Sequence, residues 1–190
     1  SKGQTIPKDN NFFNTIDSEL KAYILGYILA DGCVIIEPKK RNGIIYSYSK
    51  RLCFCSSIDD REVIELIQKS IAPTSKIKEV HNEKGALVRK NQLILRISSV
   101  KLVDDLINLN IKPRKTYDFD FIFDFNKIPK NLIRHFIRGF FDGDGTSNKG
   151  RISFIGTSLP FFSQLNNIIK EFIPGISSYF INQPCKNVMC

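Results

Sequence analysis

Ile24-Leu25-Gly26-Tyr27-Ile28-Leu29-Ala30-Asp31-Gly32 has a second version later in the chain, Ile137-Arg138-Gly139-Phe140-Phe141-Asp142-Gly143-Asp144-Gly145. Each copy reads as the C-terminal end of a helix with apolar residues on nearly all sides, and such a helix has to be buried all round. Two small residues stand four apart in each copy, Gly26/Ala30 and Gly139/Gly143, on one helix face. A glycine and alanine face lets another helix backbone come unusually close. An aspartate follows, Asp31 or Asp144, and then a glycine suited to the left-handed turn that ends a helix. If the two small faces pack together, the two aspartates meet at one end of the pair. Helix dipoles are negative there and disfavour each carboxylate by about 0.3–1 kcal/mol. Divalent cations would reverse that balance, and an all-oxygen donor set suits magnesium.

The doubled motif resembles that of the LAGLIDADG homing endonucleases, which aligns without gaps onto Ile24–Gly32 and Ile137–Gly145. It departs at Leu29, where the family motif carries an aspartate that Asp142 keeps; this position is not the family's metal ligand. The resemblance implies an α+β fold of two pseudo-symmetric αββαββ-type halves, whose antiparallel sheets form a saddle over double-stranded DNA. It also implies magnesium-dependent hydrolysis of a phosphodiester in each strand, leaving short 3′ overhangs and initiating homing of the encoding intron or intein. Asp31 and Asp144 would be the catalytic, metal-binding carboxylates. Mn2+ or Ca2+ could replace Mg2+, calcium without cleavage. Gly26, Ala30, Gly139 and Gly143 would form the helix interface. Lys115, in Ile111-Lys112-Pro113-Arg114-Lys115-Thr116, resembles the family's basic residue near the metals and would stabilise charge on the reacting phosphate. The plain alternative is a solvated linker lysine.

Composition agrees with a nucleic-acid partner. Lys+Arg number 28 against 19 Asp+Glu, a net charge of +9. Hydrophobic residues make up 42% of 190, enough for a sizeable core. The longest apolar run, Ala22–Ala30, is far short of the ~20 residues a membrane-spanning helix needs, and no basic-then-apolar leader opens the sequence. Five cysteines without a regular framework suggest reduced thiols in an intracellular, reducing compartment. Cys53-x-Cys55 does not have zinc spacing. An EF-hand reading of Asp142-Gly143-Asp144-Gly145-Thr146 fails, because Ser147 and Ser153 stand where that loop needs glycine and glutamate.

The chain divides into an N-terminal arm (1–16), a first half (17–112), a connector (113–128) and a shortened second half (129–190). In the first half a helix starts near Asp17/Ser18, with strands at Cys33–Ile36 and Ile45–Ser56 around a basic loop, Glu37–Gly43. Helix Asp59–Ile71 and a hairpin, Lys76–Val80 with Leu87–Ser98, turning at Asn82-Glu83-Lys84-Gly85, come next. Helix Val100–Asn108 closes it. The alternating Tyr117–Phe125 reads as an extended connector pinning its phenylalanines between the halves. Pro129 suits the first turn of the second motif helix. Arg151–Gly156 answers Arg51–Ser56, and Ile176–Ile181 answers Lys76–Val80, but the repeat does not finish. The outward set for DNA is Ser47, Ser49 and Arg51 on one strand, Lys76, Lys78, Gln92 and Arg96 on others, Lys39, Lys40 and Arg41 on backbone, and Arg151 in the second half. Arginine and glutamine read base edges, while lysines hold phosphates. One chain with two unequal halves is expected to act as a monomer on a site that need not be palindromic. A catalytically silent DNA- or RNA-binding relative, such as a maturase or regulator, is the other class. Self-splicing is not expected, since the sequence ends Asn187-Val188-Met189-Cys190 rather than His-Asn.

Overall fold

A computed structural model describes residues 9–81 and 91–181. Residues 10–14 turn and bury Phe12 and Phe13, so the hydrophobic core begins ahead of the first helix. Helix α1, Glu19–Asp31, opens at Ser18, whose hydroxyl accepts the Lys21 N–H, with Glu19 in the favourable first turn. All residues from Ala22 to Leu29 are buried, as an all-round apolar helix requires.

Strands β1 (Cys33–Arg41) and β2 (Ile44–Ser57), helix α2 (Arg61–Ile71), strands β3 (Lys78–Val80) and β4 (Gln92–Ser98), and helix α3 (Val100–Asn108) follow. The antiparallel sheet has the order β1-β2-β4-β3. Period-two alternation decides its faces: Leu52, Phe54, Leu93, Leu95 and Ile97 are fully buried, and their neighbours point the other way. Lys39, Lys40 and Arg41 belong to strand β1 and not to a loop. The loop shrinks to Asn42-Gly43, both at positive φ (52° and 81°), a two-residue hairpin turn. Pro38 is tolerated inside β1 because β1 is an edge strand.

The second half contributes α4 (Ile133–Asp144), β5 (Gly145–Asn148), β6 (Arg151–Phe154) and α5 (Leu159–Phe172). Pro129 does not start α4. It precedes a 3-10 turn, Lys130–Leu132, and α4 begins at Ile133. Nor is α4 apolar on nearly all sides: Ile133, Phe136, Gly139 and Phe140 are buried, a single stripe. Sheet β5–β6 has two strands, and residues 176–181 form no strand, leaving Tyr179, Phe180 and Ile181 exposed. Among the described residues their alternation has no neighbouring strand to pair with. The expected turn Asn82–Gly85, and the chain ends at 1–8 and 182–190, lie outside the described residues.

The connector joins the halves through aromatic packing. Phe123 is fully buried and stacks on Phe136 with ring centroids 4.9 Å apart, and Phe121 lies 5.5 Å from Phe161. Phe125 also touches Phe136, whereas Phe119 is exposed. Ser158 donates to the Phe121 carbonyl at 2.6 Å and the Gln164 side chain accepts the Phe123 N–H at 3.1 Å, which satisfies backbone in a segment without strands. Among the described residues no helix is long and apolar enough to cross a membrane.

Candidate active site

Helices α1 and α4 meet through their glycines. A Cβ on Gly26 would stand 2.0 Å from the Phe136 carbonyl oxygen, and one on Gly139 would stand 1.9 Å from that of Tyr23. No side chain fits at either point. The two contacts are mirror images within one arrangement, since Tyr23 precedes Asp31 by the same interval as Phe136 precedes Asp144. One turn on, a Cβ on Gly143 would lie 2.4 Å from that of Ala30 and 3.5 Å from Asp31 Oδ2. The small faces are in backbone contact.

The glycines after the aspartates act otherwise than in a left-handed cap. Gly32 (φ −73°) and Gly145 (φ −99°) are extended. Each turns the chain directly from helix into strand, folded back over the last helical turn. A Cβ on Gly32 would approach Ile28 O at 2.7 Å, and one on Gly145 the Phe141 ring at 2.1 Å. Lack of space, not positive φ, demands glycine here.

Asp31 and Asp144 are the last residues of α1 and α4, both half-buried. Burial, reinforced by the Asp31 charge and only partly offset by Lys115, pushes Asp144 up to about 6. Asp31 is raised too, chiefly by burial and also by the Asp60 charge, while a hydrogen bond from Tyr27 and the Lys115 charge oppose the rise. Two carboxylates that resist ionisation together form a natural cation site. Among the described residues no cluster of three or more His, Cys, Asp or Glu is present, so phosphate oxygens and water would complete any shell. A small cavity of about 80 Å³, lined by Ala30, Lys115, Asp144 and Thr157 among others, opens beside Asp144.

Lys115 is not a solvated linker side chain. Its Nζ donates to the carbonyls of Ala30 at 3.2 Å and Gly32 at 2.6 Å, across the end of α1. It thereby satisfies carbonyls that a helix leaves without partners. Burial lowers its pKa, while Asp144, Cys33 and Asp31 hold it up.

Sequence reading missed three side chains. Tyr23 donates its hydroxyl to Asp142 Oδ2 at 2.8 Å, across the helix seam. Tyr27, fully buried, has its hydroxyl 3.4 Å from Ser56 Oγ and within reach of Asp31. Asp60 adds negative charge near Asp31. A signal for Tyr23 was available: the copies differ at matched positions, Tyr23 against Phe136 and Leu29 against Asp142, and the two differences are one interaction.

The outer face of the four-stranded sheet carries most of the proposed DNA set. Register places Lys39 opposite Ser47, Ser49 opposite Glu37, Arg96 opposite Cys53, Gln92 opposite Ser57, and Lys78 opposite Ile94. Arg51 shares that face but its guanidinium is paired with Glu37. Lys40 and Arg41 end β1, exposed; exposed Lys76 precedes β3 outside the sheet. Arg151 is exposed at the start of β6, in the other sheet. The histidines carry no chemistry here: His135 lies 3.3 Å from Glu19, and His81 lies 3.6 Å from Glu79.

A family model described as a LAGLIDADG-like domain matches residues 131–183. No curated protein matches the chain. Among solved structures, variants of the homing endonuclease I-DmoI superpose at a TM-score of 0.50 with 18% identity, over 86% of this chain and 76% of theirs. I-SmaMI, bound to an uncleaved DNA target in the presence of calcium ions, gives a TM-score of 0.50 with 13% identity, over 87% and 76%. A LAGLIDADG-like domain therefore occupies the second half, and the chain as a whole has the fold of the LAGLIDADG homing endonucleases.

Proposed function

We propose that this protein is a site-specific homing endonuclease that makes a metal-dependent double-strand break in DNA, leaving short 3′ overhangs. One observation carries the reading: Asp31 and Asp144 end two helices in backbone contact, with Lys115 in the field of both. Duplex DNA would lie on the outer face of the β1–β4 sheet, contacted by Lys39, Lys40, Arg41, Ser47, Ser49, Lys78, Gln92 and Arg96, with Arg151 serving the second half. That I-SmaMI was solved with DNA and calcium supports the choice of ligand class.

Asp31 and Asp144 would hold the cation, magnesium by preference. A bound divalent ion supplies an activated water and stabilises the leaving oxygen. The chain's own part is positional and electrostatic. The helix seam fixes the spacing of the two carboxylates. Lys115, held by two carbonyls, presents a localised positive charge where a phosphate would bring negative charge. The half-buried setting limits water and strengthens these interactions.

Incubating the protein with a randomised duplex library and Mg2+ tests the reading, with Asp144→Asn as control. Recovery of one cut sequence class from wild type alone is the expected result. Binding of duplex or RNA with no cutting in Mg2+ or Mn2+ would instead favour the silent-relative class. The division into arm, halves and connector at 16, 112 and 128, single-chain action and an intracellular, reducing location belong to the same proposal.

A further inference from the structure

Glycine and alanine let α1 and α4 come into backbone contact, and the side chains that bridge the two helices bear on the register they keep. Beside the glycine contacts a side-chain hydrogen bond crosses from α1 to α4, from Tyr23 Oη to Asp142 Oδ2 at 2.8 Å, while Glu19 at the start of α1 lies 3.3 Å from His135 of α4. The Arg138 guanidinium lies 5.1 Å from the centre of the Tyr23 ring, on the same helix as Asp142, so Tyr23 is held from α4 at two points. Tyr23 also supplies the carbonyl against which Gly139 packs. Its backbone and side chain therefore engage α4 at adjacent levels.

The pseudo-dyad makes this contact one-sided. Positions matching Tyr23, Asp142 and Arg138 are Phe136, Leu29 and Leu25, all buried and apolar. Nothing at the mirror position can form the same bond. Asp142 lies two residues before Asp144 on the same helix, and Tyr23 lies two turns before Asp31 on the other. A shift along the seam breaks the bond and separates the two terminal carboxylates together.

We propose that Tyr23 is a positioning residue of the Asp31/Asp144 site: its hydroxyl, donated to Asp142, holds the two motif helices at the register that brings the carboxylates together. The role at the site rests on the nuclease reading; the clamp itself does not. Tyr23→Phe removes the bond but keeps every charge. Asp142→Asn keeps an acceptor oxygen but removes a charge near the site. If Tyr23 acts by position, Tyr23→Phe weakens Mn2+ binding about tenfold, the scale for lost supporting hydrogen bonds at metal sites. Asp142→Asn then weakens it less. The reverse order, or Tyr23→Phe binding Mn2+ like wild type, overturns the proposal. Cleavage rates should rank the variants the same way.

Melting of the metal-free protein tests the clamp without reference to DNA or metal. Tyr23→Phe/Asp142→Leu, which installs the apolar pair of the mirror positions, should melt above Tyr23→Phe alone. Strictly additive shifts of Tyr23→Phe and Asp142→Leu would show that no clamp exists. Should wild type bind no Mn2+, the nuclease reading fails and the positioning role with it, while non-additive melting would still establish the contact.

Discussion

The two halves agree at their shared helix seam and diverge away from it. Helices α1 and α4 present the same glycine to the same carbonyl of the partner, within 0.1 Å by the distances 2.0 and 1.9 Å. Yet α1 is buried around its circumference and α4 along one stripe. Behind α1 stands a four-stranded sheet with two covering helices; behind α4 stand two short strands and α5. Ile152, Ile155, Tyr179, Phe180 and Ile181 remain exposed on the smaller side. The motif thus encodes a close backbone contact that both halves share, whereas the sheets behind it differ without moving the seam. Compensation comes from the connector, whose Phe121, Phe123 and Phe125 pack against α4 and α5 where α1 has sheet.

The largest expected effect tests whether the seam's two ends are chemically equivalent. Asp31→Asn and Asp144→Asn should each reduce double-strand cleavage by at least about 10²-fold, the scale for losing one preorganised electrostatic group. DNA binding should persist, as gel shifts in Ca2+ would show. A variant that still cuts both strands near the wild-type rate would remove its aspartate from the site.

Next comes the seam itself. Gly26→Ala and Gly139→Ala each place a Cβ far inside van der Waals contact with a backbone carbonyl oxygen, so about 1–3 kcal/mol of stability should be lost by overpacking. Cleavage should fall further than stability, because displacement of about 1 Å can cost roughly 10²-fold in rate. Equal penalties at the two glycines would sharpen the symmetry; tolerance at one would break it. Thermal melts beside single-turnover rates decide.

The site's charge should also be visible in metal-free protein. Asp144 has a folded pKa of about 6, above its unfolded value, so the folded state binds more protons in between. Its contribution is fully favourable below about pH 4 and is lost as pH rises through 6, at a cost of order 1–2 kcal/mol for a half-buried group. Asp144→Asn should therefore melt above wild type at pH 7.5 without divalent ions, and the gap should close towards pH 4. Added Mg2+ should narrow it at pH 7.5 by stabilising wild type alone.

The smallest effect separates the two sheets. Arg96→Ala should reduce the salt-dependence slope of DNA binding by about 0.9, one phosphate's worth, if it contacts backbone. Arg51→Ala should change it less, because Glu37 already neutralises that guanidinium. Arg151→Ala, on the two-stranded sheet, reports whether the smaller half grips DNA at all. Fluorescence titrations across a salt series measure all three.

The doubled motif by itself determined the helix seam, since two copies of a small-residue face have one economical way to be buried. It likewise named Asp31 and Asp144, because they follow that face at a fixed interval in both copies. Alternation alone fixed which residues of β2 and β4 line the core. Tertiary structure decided what depends on a neighbour. Pro38 sits in a strand because that strand is an edge, and residues 176–181 do not because, among the described residues, no partner strand adjoins them. Gly32 and Gly145 look like left-handed caps in sequence but are extended, since crowding over the previous turn, not φ, excludes a side chain. Lys115 became a half-buried, carbonyl-bound cation only when the connector was laid across the end of α1. Tyr23 and Asp142 are more than a hundred residues apart, and no local rule couples them; only the packed helices make them one contact.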